Sequence, residues 1–559
     1  MKKLLSVFMI ICLAISIIPC YNISARAVSG FGYDDKTKTL TIYSDASYDK
    51  EMWAEYGEKA EKLVIGENVT SLERAELSYC TNISEIVVEK DNENYVTDSQ
   101  GLLLSDDETI LVMCADAKTI KIPATVTKIT EGAFASCTSL ESIDVHDDNP
   151  EFFSDEFGVL YNKDKTVLIR YPDEREAKSY TIPETIVVIW DSAFEDSDNL
   201  TSMIIPDSVI TIGESAFEDC DGILTLKLSN NLASIGAYAF LDCTEITELV
   251  IPDSVTEMGE GAFEDCTGLV TVIIGNGLKV ISKSAFEDCD EIVNLTLGEN
   301  VTVIDEYAFY DCHKLTHLVI PGSVVEIGEG AFEDIVNLKT VTFGKNVQVI
   351  GESAFEDCDS LKEIVLPESV TTIGKSAFYD CHSLESVVIG KNVTSVDVFA
   401  FSGCYKLLNF YFTGSQSEWG KTPKEIRDFV TVMQSTVYYN CSPMGESYKF
   451  AISNPSRYTI RYKDGIVLHT KDNGMLPEDA EIKWSSSDKN FATEMSADGK
   501  DLTIVSKSNG HTTFTVTIYD DNGTAMATDT IIMYSKASFF DKLGGFFRSL
   551  FGATTIYDA

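Results

Sequence analysis

Ten cysteines recur at one fixed place relative to a repeated Ala-Phe pair, at 80, 137, 220, 243, 266, 289, 312, 358, 381 and 404. Thiolates ligate metals and thiols pair as disulfides, so such a column invites both chemistries. The intervals do not form a CxxC zinc pattern, and Ser197 and Ile335 fill the same place in two other copies. A position that accepts Cys, Ser or Ile is a small packing site, where a free cysteine behaves as a small hydrophobe. Cys114 and Cys441 fall outside the column and stay unassigned.

A second column is acidic. Asp stands at 196, 219, 242, 265, 288, 311, 334, 357 and 380, preceded by Glu at 218, 264, 287 and 356. Two like charges ~5 Å apart repel by about 0.8 kcal/mol in water before screening. Divalent cations would relieve that repulsion, so weak Ca²⁺ association is one reading. The simpler one is a turn position, because Ser136 and Gly403 also occupy it. His313 and His317 are four apart but fall on a turn and a strand of the repeat, so they do not share a helix face as HExxH zinc ligands must. No hydroxyl or thiol nucleophile has a base beside it, and no glycine-rich phosphate loop appears. No catalytic residue, cofactor or metal site is assigned, and an enzyme is not expected.

The chain that carries these columns has a formal charge of −46, which repels nucleic acid and anionic headgroups. Residues 1–27 have the form of a signal peptide, with Lys2 and Lys3 before the apolar run Leu4 to Ile18 and then Ala25-Arg26-Ala27. Pro19 before Cys20 argues against lipidation there. No later stretch reaches the ~20 apolar residues of a membrane-spanning helix. A secreted or cell-surface protein is expected.

The columns are set by a 23-residue period. Phe recurs after Ala at 194, 217, 240, 263, 286, 309, 332, 355, 378 and 401, with earlier relatives at Phe134 and near Leu77. Counting from each Phe, apolar residues hold +6, +9, +11, +15 and +18, and Ala holds +22. Alternation at +9 and +11 is strand spacing, and Pro or Gly at +12 ends the strand. In GESAFEDC the Ala, Phe and Cys spacing predicts a short helical turn. A single coil cannot bury these residues; stacking turns each column into a buried ladder.

The unit in IPDSVTEMGEGAFEDCTGLVTVII (251–274) resembles the BspA-like class of bacterial leucine-rich repeats, over roughly residues 60 to 440. The resemblance implies a leucine-rich-repeat solenoid, mostly β with short helical turns, that is secreted or surface-attached and adhesin-like. Within this scheme residues 28–68 form an N-terminal β cap around Trp53, and 69–408 form the solenoid. GLLLSDDETILVMC (101–114) and GVLYNKDKTVLIRYP (158–172) are expected to be β-hairpins inserted near 95–116 and 150–174. Residues 409–445 form a C-terminal cap and linker. Short alternating strands over 446–535 predict an all-β sandwich. There IKWSSSD (482–488) and NGHTTFTVTIYD (509–520) resemble bacterial Ig-like group 2 domains, with Trp484 as core aromatic. The tail 536–559 carries an apolar stripe of Phe539, Phe540, Leu543, Phe546, Phe547, Leu550 and Phe551. It reads as a helix docked on the sandwich, or as a membrane or wall anchor.

The face most suited to binding is the outward side of the strands. Position +10 holds Ile204, Lys227, Val250, Ile273, Thr296, Val319, Thr342, Val365, Val388 and Tyr411. The polar border at +8 includes Glu248, Asn294, His317 and Glu363. An apolar stripe with a polar border suits an extracellular protein or glycan, although β-branched residues also favour exposed strands for their own sake. The alternatives are a structural surface or matrix component without a specific ligand, or an accessory glycan-binding protein.

Overall fold

The computed structural model describes residues 30–439, apart from 46–49, 73–76 and 131, and the backbone of eight strands between 451 and 536. The leader expected at 1–27 and the apolar stripe of the tail lie outside the described residues. The chain divides into two compact units, residues 1–269 with 285–289, and residues 270–284 with 290–559.

In the first unit the 23-residue step becomes a stack of rings. Phe194, Phe217, Phe240, Phe263 and Phe286 are fully buried, with successive centroids 4.8, 5.0, 5.0 and 5.5 Å apart. Two parallel ladders run beside the rings. One pairs Ser202–Ile204 with Thr225–Lys227 in register. The other runs through Val188–Ile189, Thr211–Ile212, Ser234–Ile235 and Glu257–Met258. This second ladder, at +17 and +18, is only two residues wide and was not anticipated from the strand pattern.

Each coil is also sewn to the next at the Ala-Phe turn. The Phe217 N–H donates to the Ala239 carbonyl at 2.8 Å, and the Phe217 carbonyl accepts from the Cys243 thiol at 3.1 Å. Cys220, Cys266 and Cys289 repeat the thiol bond at 3.0–3.1 Å. The cysteine column therefore packs as a small hydrophobe and also gives a donor to a buried carbonyl of the coil before it. Every cysteine among the described residues is a buried free thiol.

The expected helical turn is replaced by two tight turns. Ser215 and Asp219 bracket Ala216-Phe217 with φ of 52° and 55°, and Tyr238 and Asp242 do the same in the next coil. A helix cannot continue through left-handed residues.

The two long early segments are more than added hairpins. Phe152–Ser154, Leu160–Asn162 and Val167–Arg170 form three antiparallel strands, and the last pairs in parallel with Val188–Ile189. Tyr171, 23 residues before Phe194, stacks on its ring at 5.2 Å, and its N–H donates to Ala193 at 2.7 Å. The segment is thus a whole coil whose corner carries an extra strand pair. Residues Tyr95–Thr97, Leu102–Ser105 and Ile110–Cys114 repeat the design, with the Cys114 N–H donating to Ala133 at 2.8 Å. Cys114 therefore stands at the phenylalanine place of its coil.

The N-terminal cap pairs Phe31–Asp34 antiparallel with Thr39–Ser44, which pairs in parallel with Lys62–Asn68. A helix over Lys50–Tyr56, absent from the sequence reading, buries Trp53 against Phe31 at 5.2 Å.

The second unit repeats the coil. Phe309, Phe332, Phe355, Phe378 and Phe401 stack at 5.4, 5.4, 5.5 and 5.3 Å. Six two-residue strands from Val280–Ile281 to Ser395–Val396 form one sheet. Facing the exterior are Thr271–Ile274 with Asn294–Thr296, His317–Val319 with Thr340–Thr342, and Glu363–Val365 through Ser386–Ile389 and Asn409–Phe412 to Thr436–Tyr438. Phe410 and Phe429 close the ring stack over Phe401, each 6.1 Å from it. Phe429 belongs to a helix, Lys424–Met433, preceded by Pro423; a short helix, Gln416–Trp419, opens with a Ser415–Glu418 capping box.

Beyond residue 450 the backbone forms two four-stranded sheets. One orders Ala451–Ile452, Gly465–Lys471, Asp501–Ser506 and Phe491–Met495; the other orders Arg457–Arg461, Ala525–Lys536, Gly510–Tyr519 and Glu481–Ser486. The environment of the Trp484 side chain lies outside what is described.

Candidate functional site

Strand alternation turns +9 and +11 inward and leaves +8 and +10 on the surface. In the first unit Ile204 is 57% exposed, Val250 is 41% exposed and Glu248 is exposed. Ile204 lies in register with the exposed Lys227. In the second unit Val319 is 43% exposed beside Thr342, with His317 exposed two residues before it. Ile273, Val365 and Tyr411 are half-buried, and Glu363 is exposed. Asn294 is half-buried and donates to the Thr271 hydroxyl at 3.2 Å. Loss of solvation against the neighbouring strands, then nearby Lys339, lower the His317 pKa.

Val388 departs from the outward row: it is 1% exposed. It sits in register between Val365 and Tyr411, and Tyr411 stacks on Tyr438 at 4.9 Å. A branched side chain between a valine and an aromatic wall has no open side, so Val388 supports the face from beneath.

The acidic column is explained by its backbone. All nine aspartates, from Asp196 to Asp380, have φ between 52° and 61°, and Gly403 in the same place has 79°. Asp, like Asn, tolerates the left-handed region better than most side chains with a Cβ, and Gly better still. Asp242→Gly is therefore expected to leave the melting temperature unchanged or higher, whereas Asp242→Val lowers stability by roughly 1–2 kcal/mol. Equal loss in both variants would show that the carboxylate itself is needed.

Stacking these carboxylates has an electrostatic cost. Burial, then neighbouring carboxylates, raise Glu264 and Glu333 to about 7 and Asp219 and Asp357 to about 6. The folded state thus holds more protons than the unfolded chain between the ordinary carboxylate range and pH 7, and stability falls as pH rises through that window. Two histidines act in the same direction. Burial opposes the His313 cation, but Asp311 and Asp290 outweigh it; a hydrogen bond to Asp359 raises His382. Stabilisation from a raised histidine is complete below its unfolded pKa and is lost as pH rises through the folded one. The thermal midpoint should therefore climb by several degrees from pH 8 to pH 5.5. A flat or falling profile would contradict this.

The sequence reading missed where the histidines go. His313 Nδ1 lies 2.8 Å from Asp290, one coil earlier, and His382 Nδ1 lies 2.6 Å from Asp359 in the same relation. The signal was the 23-residue offset between Asp and His in the +4 column. Asp290, Asp311 and His313 bring ligand atoms within 4.8 Å of one another. Asp290 pairs with His313 between coils, and Asp311 pairs with it within one coil.

Comparison with known proteins bears on the coil. The family model described as BspA type leucine rich repeat region matches residues 107–161, 173–293 and 279–408. Among solved structures, a leucine-rich repeat protein from Eubacterium ventriosum is 20% identical, with 68% of this chain and 94% of that chain covered and a TM-score of 0.33. A leucine rich cell surface protein from Faecalibacterium prausnitzii is 22% identical, with 71% and 97% covered and a TM-score of 0.33. The pneumococcal vaccine antigen PcpA is 17% identical, with 68% and 67% covered and a TM-score of 0.31. No curated protein matches the chain.

Proposed function

Because the chain belongs to the BspA-type leucine-rich repeat family, we propose that it is a non-enzymatic, secreted or cell-surface binding protein, adhesin-like, that holds an extracellular protein on its outward strand face. The observation that carries this is the set of exposed aliphatics on the outward strands of each unit by itself, Ile204 and Val250 in the first and Val319 in the second, each with polar neighbours. Exposed apolar groups on rigid strands gain by burial against a partner, and the polar border supplies orientation. A glycan is the less favoured ligand: the +10 position holds no aromatic before Tyr411, whereas sugar rings stack best on aromatic faces.

Residues 446–535 act in this reading as an Ig-like spacer, and the tail from 536 contacts the sandwich, membrane or wall. Calcium association of the acidic column stays weak. The test is capture of partners from host and cell-wall extracts by the mature chain, compared with Val319→Lys plus Val365→Lys. Capture lost in the folded variant supports the reading; capture retained contradicts it.

A further inference from the structure

A recess of about 560 Å³ opens in the first unit, lined by Ala-Phe turns and their neighbours and by none of the outward strand residues. The turns of five coils, at Leu77, Phe134, Tyr171, Phe194 and Phe217, line it together with Glu58 of the cap, and they include the coil enlarged by the extra strand pair. One wall is apolar and aromatic, with Tyr79, Ile129, Phe134 and Trp190. Around it stand Glu58, Glu195, Glu214 and Glu218.

Against these carboxylates one cation lines the recess among the described residues. Arg170 is 3% exposed; Nη1 donates to the Ser192 carbonyl and lies 3.3 Å from Glu195, and Nη2 lies 3.9 Å from Asp173. Its charge is thus already matched. Its Nε–H, however, is buried without a hydrogen-bond partner. Buried donors are nearly always paired, and this one belongs to a side chain that lines the recess, so it marks a place for an acceptor.

Of the other carboxylates Glu58 and Glu214 are exposed, whereas Glu218 is half-buried, a charge without a cation in a poorly solvated place. Burial, with Glu195 and the flanking aspartates adding to it, raises Glu218 to about 7. An arriving cation would relieve that cost. An anionic ligand would meet four carboxylates and an arginine already spoken for. A neutral saccharide would leave the excess charge uncompensated.

We propose that this recess takes an arginine or lysine side chain of an extracellular polypeptide. Its cationic head meets Glu195, Glu214 and Glu218, and its apolar stem lies along Trp190 and Phe134. A peptide carbonyl beside it accepts from Arg170 Nε. Cation–π attraction to the indole adds to the pairing, and the chain's overall negative field favours approach of a basic partner. The inference rests on the protein-binding reading only in that the partner is a polypeptide; it uses a different surface and can fail without the strand face.

The test uses the intact mature chain and small probes, with titration calorimetry as the readout. Nα-acetyl-arginine amide is expected to bind saturably, and its neutral analogue Nα-acetyl-citrulline amide at least tenfold more weakly. Glu214→Gln plus Glu218→Gln should lose at least tenfold affinity for the arginine probe, with the melting temperature unchanged or higher. Should the double variant fail to fold, exposed Glu214→Gln alone carries the comparison, with a smaller loss. Affinity should rise from pH 6 to pH 8 as Glu218 ionises, opposite to the trend in stability. Failure of the folded chain to bind the arginine probe would overturn the proposal. So would equal binding of citrulline, or affinity indifferent to the substitutions and to pH.

Discussion

Phe240→Ala is expected to destabilise the first unit by about 3–5 kcal/mol, at the upper end for a core truncation. The ring is fully buried, with Phe217 and Phe263 each 5.0 Å from its centroid and nearly parallel to it. A globular core can relax around a missing ring, but here the coil spacing is fixed on both flanks. The Phe240 N–H is bound to Ala262 at 2.9 Å, and the strand at Ser234–Ile235 is in register with both neighbours. The neighbouring rings cannot close the gap without breaking these bonds, so most of the cavity persists. Coils contact mainly their neighbours, so the loss should appear as a split or early unfolding transition rather than a uniform shift. Urea unfolding followed by near-ultraviolet circular dichroism reads this directly. A cost near 1 kcal/mol would mean that the coils slide together and that the stack is softer than its geometry.

The second large effect is on binding. Val319→Lys plus Val365→Lys is expected to weaken partner capture at least a hundredfold, about 2.7 kcal/mol. Each valine lies on the surface, so the lysine head reaches water in the free protein and the fold is spared. In a complex the two ammonium groups would be desolvated at the centre of the contact, where charge is least tolerated. Val319 is the more exposed of the two and should carry the larger share. Val388→Lys is the control with the opposite logic. Its side chain is buried, so it should unfold the local coil rather than spare the fold.

Much of the architecture was present in the residue spacing, because stacking converts a 23-residue interval into physical contact. The phenylalanine ladder follows from counting alone. Tyr171 obeys the same count before Phe194, yet the strand-turn-strand pattern around it suggested an insertion instead of a coil. Cys114 was harder, since its coil closes on Ala133 after a shorter interval. The Ala-Phe turn was misjudged as helical because side-chain spacing says nothing of the backbone sign at Ser215 and Asp219. The two-residue strands at +17 and +18 are too short to show alternation. Helix Lys424–Met433 left a usable trace, Pro423 before Ile426 and Val430, whose four-residue spacing marks one buried face.

The candidate surface was visible only in part. Placement at +10 identified which residues point away from the core, as Ile204 and Val319 do. Exposure is settled by the adjacent strands, which is why Val388 is covered while Val365 is only half-buried. The recess around Arg170 could not be seen at all. Its walls come from turns near residues 79, 134, 170, 192 and 216, whose spacing does not show that a recess opens between them once their coils have stacked.

Val319 and Thr342 are paired in parallel strands of successive coils. Their Cα atoms should lie about 4.8 Å apart, within the span a disulfide can bridge. The direct measurement is the rate of cross-linking in the Val319→Cys plus Thr342→Cys chain under mild oxidation, read by mass spectrometry against Val319→Cys plus Thr340→Cys. Stacked coils predict near-complete linkage in the first pair and little in the second, which is two residues out of register. No linkage in the first pair, or equal rates in both, would contradict the stack on which the binding face depends.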